Sequence, residues 1–185
     1  MANVKAAAVL ARIKFIQEGF GDAGYARVLD ALEPRIRERL SALVLSQEWL
    51  PLACLTALID TSDRVLGRGD GGLCREMARY AADANLTTLY RLFFRISSAS
   101  FVLSKASALW NVHYDSGRLE CVEAVPKRIA LRIADFDAPH CTHCQSVFAW
   151  AERSVELSGG KNVSVTTGAC RKRAASSCEC TLTYQ

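Results

Sequence analysis

The stretch HCTHCQSVFAWAERSVELSGG, residues 140–160, followed by KNVSVTTGACRKRAASSCECTLTYQ, residues 161–185, decides the fold. Cys144, Val147, Phe148, Ala151 and Val155 recur at helical spacing, so Cys141 to Leu157 reads as a helix with one buried stripe, closed by Gly159 and Gly160. Val163 to Cys170 and Cys178 to Tyr184 read as two strands joined by a seven-residue loop. Upstream, Ile129, Leu131 and Ile133 alternate with Arg128 and Arg132, the pattern of a half-buried strand. Leu119 to Val125 reads as the strand before it. Val112 and Tyr114 alternate with polar residues ahead of Asp115-Ser116-Gly117, which predicts a further strand and a hairpin turn.

Towards the N-terminus the period is 3.6. Val9, Leu10, Ile13 and Ile16 lie on one helix from Val4 to Phe20, which Gly19 and Gly21 end, and Asp22 can cap a second through Tyr25, Val28, Leu29 and Leu32. Pro34 starts a third helix with Ile36, Leu40, Leu43 and Val44 on its apolar face, and Gln47 to Pro51 is a corner. Pro51 opens a helix carrying Leu52, Leu55, Leu58, Ile59 and Leu66. Leu73 to about Phe94 is another, with a stripe of Tyr80, Tyr90, Phe93 and Phe94, and Ser100 to Leu109 adds a short one. The expected class is α+β: N-terminal helices, then an antiparallel sheet in the order ββ(β)αββ, covered by helices on one face. Residues 1–50 would be a helical region packed on an α+β domain of residues 51–185, the two forming one structural unit.

Half of the 185 residues are apolar and mean hydropathy is +0.08, enough for a sizeable core. The net charge of +4 is mild, and the basic residues Arg35, Arg37 and Arg39 are interleaved with Glu33 and Glu38, so a nucleic-acid surface is not expected. No apolar run approaches the roughly 20 residues of a membrane span. Arg12 and Lys14 break the apolar N-terminus too early for a signal peptide, so a cytoplasmic location is expected. Gly67-Arg68-Gly69-Asp70-Gly71-Gly72 follows a helix and has no Lys-Ser/Thr pair, so it reads as a turn rather than a phosphate cradle.

Five of the eight cysteines lie between Cys141 and Cys180. In Cys141-Thr142-His143-Cys144 two thiols stand one turn apart at a helix start, where the dipole favours thiolate, and a hairpin would bring Cys170 close to Cys178. Cys141, Cys144, Cys170 and Cys178 could close a tetrahedral zinc site, with His140, His143 and Cys180 as competing ligands. The same thiols could equally be small buried hydrophobes, or a thiol–disulfide pair, although no thioredoxin-like context accompanies them. Cys54, Cys74 and Cys121 lie on apolar faces and read as core, and His113 reads as a sheet-surface histidine.

Ala108-Leu109-Trp110, Tyr114-Asp115-Ser116-Gly117-Arg118-Leu119 and the terminal helix with Cys170, a basic loop and Cys178-Glu179-Cys180 resemble domains of the 4-vinyl reductase type. That superfamily includes small subunits of the TRAPP transport complex and haem-NO-binding-like domains. The whole chain, including Asn85 to Phe93, resembles most a family of uncharacterised myxobacterial paralogues. In aromatic-sensing regulators with this domain, zinc is held by a helix-head cysteine, two hairpin cysteines and a glutamate. The resemblance implies Cys144, Cys170 and Cys178 here, but the glutamate position falls on Thr167, which leaves Cys141 as the candidate fourth ligand.

The resemblance implies a non-enzymatic sensory or regulatory binding module. It would be a homodimer acting on an unknown protein partner, with a small hydrophobic ligand in a pocket lined by Trp110, Phe148 and Trp150. A ligand-free protein–protein adaptor is the alternative. An enzyme of tetrapyrrole or aromatic metabolism is a third reading, for which the sequence offers no catalytic constellation.

Overall fold

The computed structural model describes residues 2–42, 45–85 and 106–185. The chain begins with strand β1 (Asn3–Lys5) and helix α1 (Ala6–Asp30), then α2 (Pro34–Ser41), strand β2 (Trp49–Pro51), α3 (Leu52–Leu66) and α4 (Gly72–Asn85). After helix α5 (Ala106–His113) come β3 (Arg118–Val125), β4 (Arg128–Ala134), α6 (Cys141–Leu157), β5 (Ser164–Thr167), a 3-10 turn at Arg171–Arg173 and β6 (Cys178–Thr183). Helices followed by an antiparallel sheet give the expected α+β class. Leu43, Val44 and Leu86 to Lys105, including Tyr90, Phe93 and Phe94, lie outside the described residues.

The sheet has the order β3-β4-β6-β5, with every pair antiparallel. On β4, Ile129, Leu131 and Ile133 are buried, and on β6 Cys178, Cys180 and Leu182 face the same way. The opposite face carries Glu120, Arg132 and Glu179, with Arg132 Nε donating to Glu179 at 2.8 Å. The period-2 pattern thus divides the sheet into an apolar face under α6 and a charged face in water.

Helix α6 lies between that sheet and α4. Ala78, Ala81 and Ala82 of α4 let the two helices approach closely, and their rims are joined by ion pairs. Arg75 pairs with the buried Glu152, Arg79 donates to Glu156 at 2.7 and 2.9 Å, and Arg153 donates to Asp83. The four-residue spacing of Arg75 and Arg79 against Glu152 and Glu156 aligns both rungs. One core cluster takes residues from both ends of the chain, from Val4, Val9 and Ile16 to Leu131, Val155 and Leu182.

Several local expectations are corrected. The corner at residues 47–51 contains a strand, because Val4 and Leu50 pair across β1 and β2. By contrast, the expected division of the N-terminal region into two helices holds: the span Ala6–Asp30 is broken at Gly21, whose φ of 68° only glycine adopts freely. Of the predicted strand at Val112 and Tyr114, Val112 lies in the last turn of α5, while Tyr114 follows the helix, its N–H donating to Trp110 O at 2.9 Å, and forms an isolated antiparallel bridge with Val4. Three alternating residues are too few to separate the two periods. Trp110 Nε1 donates to Ser116 O, and Gly117 (φ 65°) must be glycine because a Cβ would sit 2.8 Å from Phe136 Cα. The strand predicted up to Cys170 ends at Thr167, and Cys121 is half-buried where a core position was expected.

Asp63 also has a role invisible in the sequence. Its carboxylate accepts from Gly71 N–H and Leu73 N–H at 2.9 Å, capping α4 from the preceding helix. This holds the Gly67–Gly72 turn in place.

Candidate functional site

Helices α1, α5 and α6 line a partly open cavity of about 60 Å³. Ala8 and Arg12 come from α1, Leu109, Trp110 and His113 from α5, and Ser146, Val147 and Trp150 from α6, with Tyr114 and Leu119 completing the wall. Of the three predicted pocket residues, Trp110 and Trp150 stand there. Phe148 does not: it shares the Cys144 stripe of α6 and lines a separate cleft beside the thiols. On a helix, Ser146, Val147 and Trp150 fall on one face and Cys144, Phe148 and Ala151 on another.

The cavity wall carries a charge. Arg12 is only 5 % exposed. Its Nη1 donates to Ala8 O at 3.1 Å and its Nη2 to Ser146 Oγ at 3.0 Å, while Nε, also buried, has no partner. Desolvation lowers its pKa, opposed by Tyr114 and Cys74, but a guanidinium stays protonated in proteins. Those two groups are weak acids, and burial pushes both to about 12. His113, read as a sheet-surface residue, is a wall of this cavity instead. Its Nδ1 is buried without a partner, and burial, then Arg12, lowers its pKa.

Beside the cavity lies a second histidine. His143 is fully buried in an aromatic box, stacked on Phe136 at 4.7 Å with Tyr114 and Trp110 edge-on at 4.9 and 5.7 Å. Neither ring nitrogen has a partner, and burial, with His140 and Arg12 adding, pulls its pKa to about 3. This ring faces the core, away from any role as a competing metal ligand. His140 sits 3.8 Å from Asp60.

The four predicted zinc ligands are brought together. They line one cleft of about 70 Å³ with Thr167 and Arg173, and Arg171 N–H donates to Cys178 Sγ at 3.4 Å. Burial raises the Cys141 and Cys144 thiols. Cys170 is lowered: burial acts upward, but the Lys172 backbone, the Cys178 and Cys141 thiols and Arg173 outweigh it. Among the described residues, no three His, Cys, Asp or Glu side chains stand close enough to hold a metal ion. Cys180, buried in β6 with its pKa near 12, is core.

No family profile matches the chain, and no curated protein matches it. Solved structures do. An H-NOX protein from S. oneidensis in the Fe(II)NO state superposes with a TM-score of 0.76 at 10 % identity, covering 98 % of this chain and 99 % of that one. Unliganded Fe(II) H-NOX from K. algicida gives 0.76 at 7 %, covering 98 % and 96 %. A further H-NOX structure, from work on haem distortion, gives 0.71 at 12 %, covering 98 % and 95 %. Of the relatives named from sequence, the haem-NO-binding ones are the group these structures represent. The 4-vinyl reductase and myxobacterial parts of the resemblance are not confirmed by these structures. At such identities the likeness is one of architecture: from end to end, this chain has the H-NOX fold.

Proposed function

We propose that the protein is a non-enzymatic sensory module whose signal is a small molecule seated in the cavity between α1, α5 and α6. A protein partner would read its occupancy, and the kinship would be with the sensors of the 4-vinyl reductase-like superfamily. One observation carries this reading: two residues of the cavity wall, Arg12 and His113, each hold a buried polar atom, Nε and Nδ1, that lacks a partner. Buried polar groups in folded proteins are satisfied, and those left over mark where a ligand or ordered water belongs. The H-NOX fold supports the sensory part, because the proteins that share it hold a haem iron that takes up nitric oxide.

This cavity does not fit a haem. Iron in haem takes a His, Cys, Met or Tyr ligand, and His113 and Tyr114 are such residues at the cavity. However, about 60 Å³ is far below the roughly 300 Å³ at which cofactor pockets begin, and His143 is sealed among aromatic rings. The occupant is smaller. An apolar cavity of roughly 150 Å³ holds benzene, so this one takes only a few heavy atoms.

The same reading gives the thiols a structural role. Cys141, Cys144, Cys170 and Cys178 would hold a zinc after small side-chain rotations, with Cys170 the first to lose its proton. Native mass spectrometry of protein purified without added metal or chelator, beside a denatured control and a haemin-treated sample, tests these points together. A retained small organic mass supports the sensor, a zinc mass supports the thiol site, and the subunit number reports the homodimer. A protein that binds haemin stoichiometrically with a Soret band would overturn the size argument. A bare protein whose Trp110 and Trp150 fluorescence responds to no small molecule would favour the adaptor.

A further inference from the structure

The cavity's chemistry narrows what it accepts. Arg12 is a permanent cation buried at its wall, yet no ion pair reaches it among the described residues: the neighbours able to offset its charge are a phenol and a thiol, both neutral at pH 7. The undescribed residues supply no counter-ion either, because residues 1, 43–44 and 86–105 contain no Asp or Glu. Burying a charge without a partner is strongly unfavourable, so the site calls for an anion from outside the chain.

The geometry says which kind. Ala8 O and Ser146 Oγ hold the two Nη atoms and so fix the plane of the guanidinium, leaving the Nε edge without a protein acceptor. A planar guanidinium edge matches the two oxygens of a carboxylate. His113 is a second polar group on the same wall, and its unpartnered Nδ1 can donate in the neutral tautomer that carries the proton there. The remaining wall, Leu109, Val147 and Trp150, is apolar and suits a hydrogen or a methyl group.

Resting on the sensory reading above, we propose that the cavity binds a small monocarboxylate of formate or acetate size, with Arg12 as its counter-charge and His113 as a second hydrogen-bonding group. Binding neutralises a charge that the empty protein buries alone, so occupancy tightens the junction of α1, α5 and α6. No bond to the ligand is made or broken.

The test titrates the full chain with formate and acetate, and with formamide and acetamide as neutral isosteres, at constant ionic strength set by sodium chloride. Tryptophan fluorescence and melting temperature are the readouts, since Trp110 and Trp150 line the site. The acids should raise the melting temperature and change the fluorescence saturably, with the amides weaker by about tenfold or more, the scale of a charged hydrogen bond. Arg12→Met should lose at least that factor. Ala8→Val, which keeps Arg12 but fills the cavity, should lose the response as well and guards against a folding defect in the first variant. If amides bind as well as acids, the carboxylate assignment falls and the cavity reading survives. Equal shifts with chloride alone, or an Arg12→Met protein that responds like wild type, also overturn it. If neither acids nor amides act, the assignment falls, and a small mass retained in the native spectrum then decides the cavity reading separately.

Discussion

Replacing Arg12 by methionine should make the ligand-free protein more stable, against the usual direction for a buried residue. Arg12 is 5 % exposed, and its charge is desolvated without an ionic partner. Exchanging buried ionic groups for apolar ones of similar volume stabilises by about 1–4 kcal/mol even where the charges were paired. Methionine is unbranched and fills irregular space, so the volume left behind is small. The opposing cost is two hydrogen bonds. Ala8 O is a helix carbonyl that already has its own backbone donor, and Ser146 can turn its hydroxyl back onto its own helix, so together these lose about 1–2 kcal/mol. The central net gain is about 1 kcal/mol, or roughly 2–4 °C in melting temperature for a chain of this size. Calorimetry and urea unfolding at pH 7, in a buffer free of carboxylates, measure it. In saturating acetate the order should reverse, because only wild type gains the linkage term. A variant that melts more than a few degrees below wild type in the ligand-free buffer would refute the reasoning, since the charge would then be compensated within the fold.

Three further predictions rest on other groups. His143 has its pKa pulled down to about 3 by burial, against about 6.5 when unfolded, so its contribution to stability is present above pH 6.5 and lost as pH falls towards 3. Unfolding free energies from urea titrations should therefore drop between pH 6.5 and 4 by up to about 1.4 kcal/mol per pH unit, and His143→Phe should flatten that slope. Cys170→Ser should release any bound zinc and lower the melting temperature by several degrees, whereas unchanged metal content and stability would exclude the thiol site. Glu152→Ala should cost about 1–2 kcal/mol by urea unfolding: the carboxylate is buried, but Arg75 is more than half exposed, so solvent screens much of the pair. A loss below 0.5 kcal/mol would make the α4–α6 ladder ornamental.

The local sequence settles the elements where one period runs long enough to exclude the other. Cys144, Phe148, Ala151 and Val155 recur at helical spacing along α6, and Ile129, Leu131 and Ile133 alternate with Arg128 and Arg132 on β4, so both elements are legible without coordinates, although α6 is buried on more faces than that stripe. The clustering of Cys141, Cys144, Cys170 and Cys178 is equally visible, because a helix start beside a hairpin must bring such positions together. Residues 112–114 show the limit: three alternating residues fit a strand or the last turn of a helix, and in the structure Val112 ends the helix while Tyr114 bridges to Val4, 110 positions away. Asp63 caps a helix that starts nine residues later, a relation no local pattern encodes. Arg12 marks the limit for the site itself. In the sequence it is only a charge interrupting an apolar run, and the packing of α5 and α6 against α1 turns it into a buried cation at a cavity. Periodicity reports which face of an element is apolar. What covers that face depends on residues more than a hundred positions away, and that burial, with the charge it strands, belongs to the tertiary structure alone.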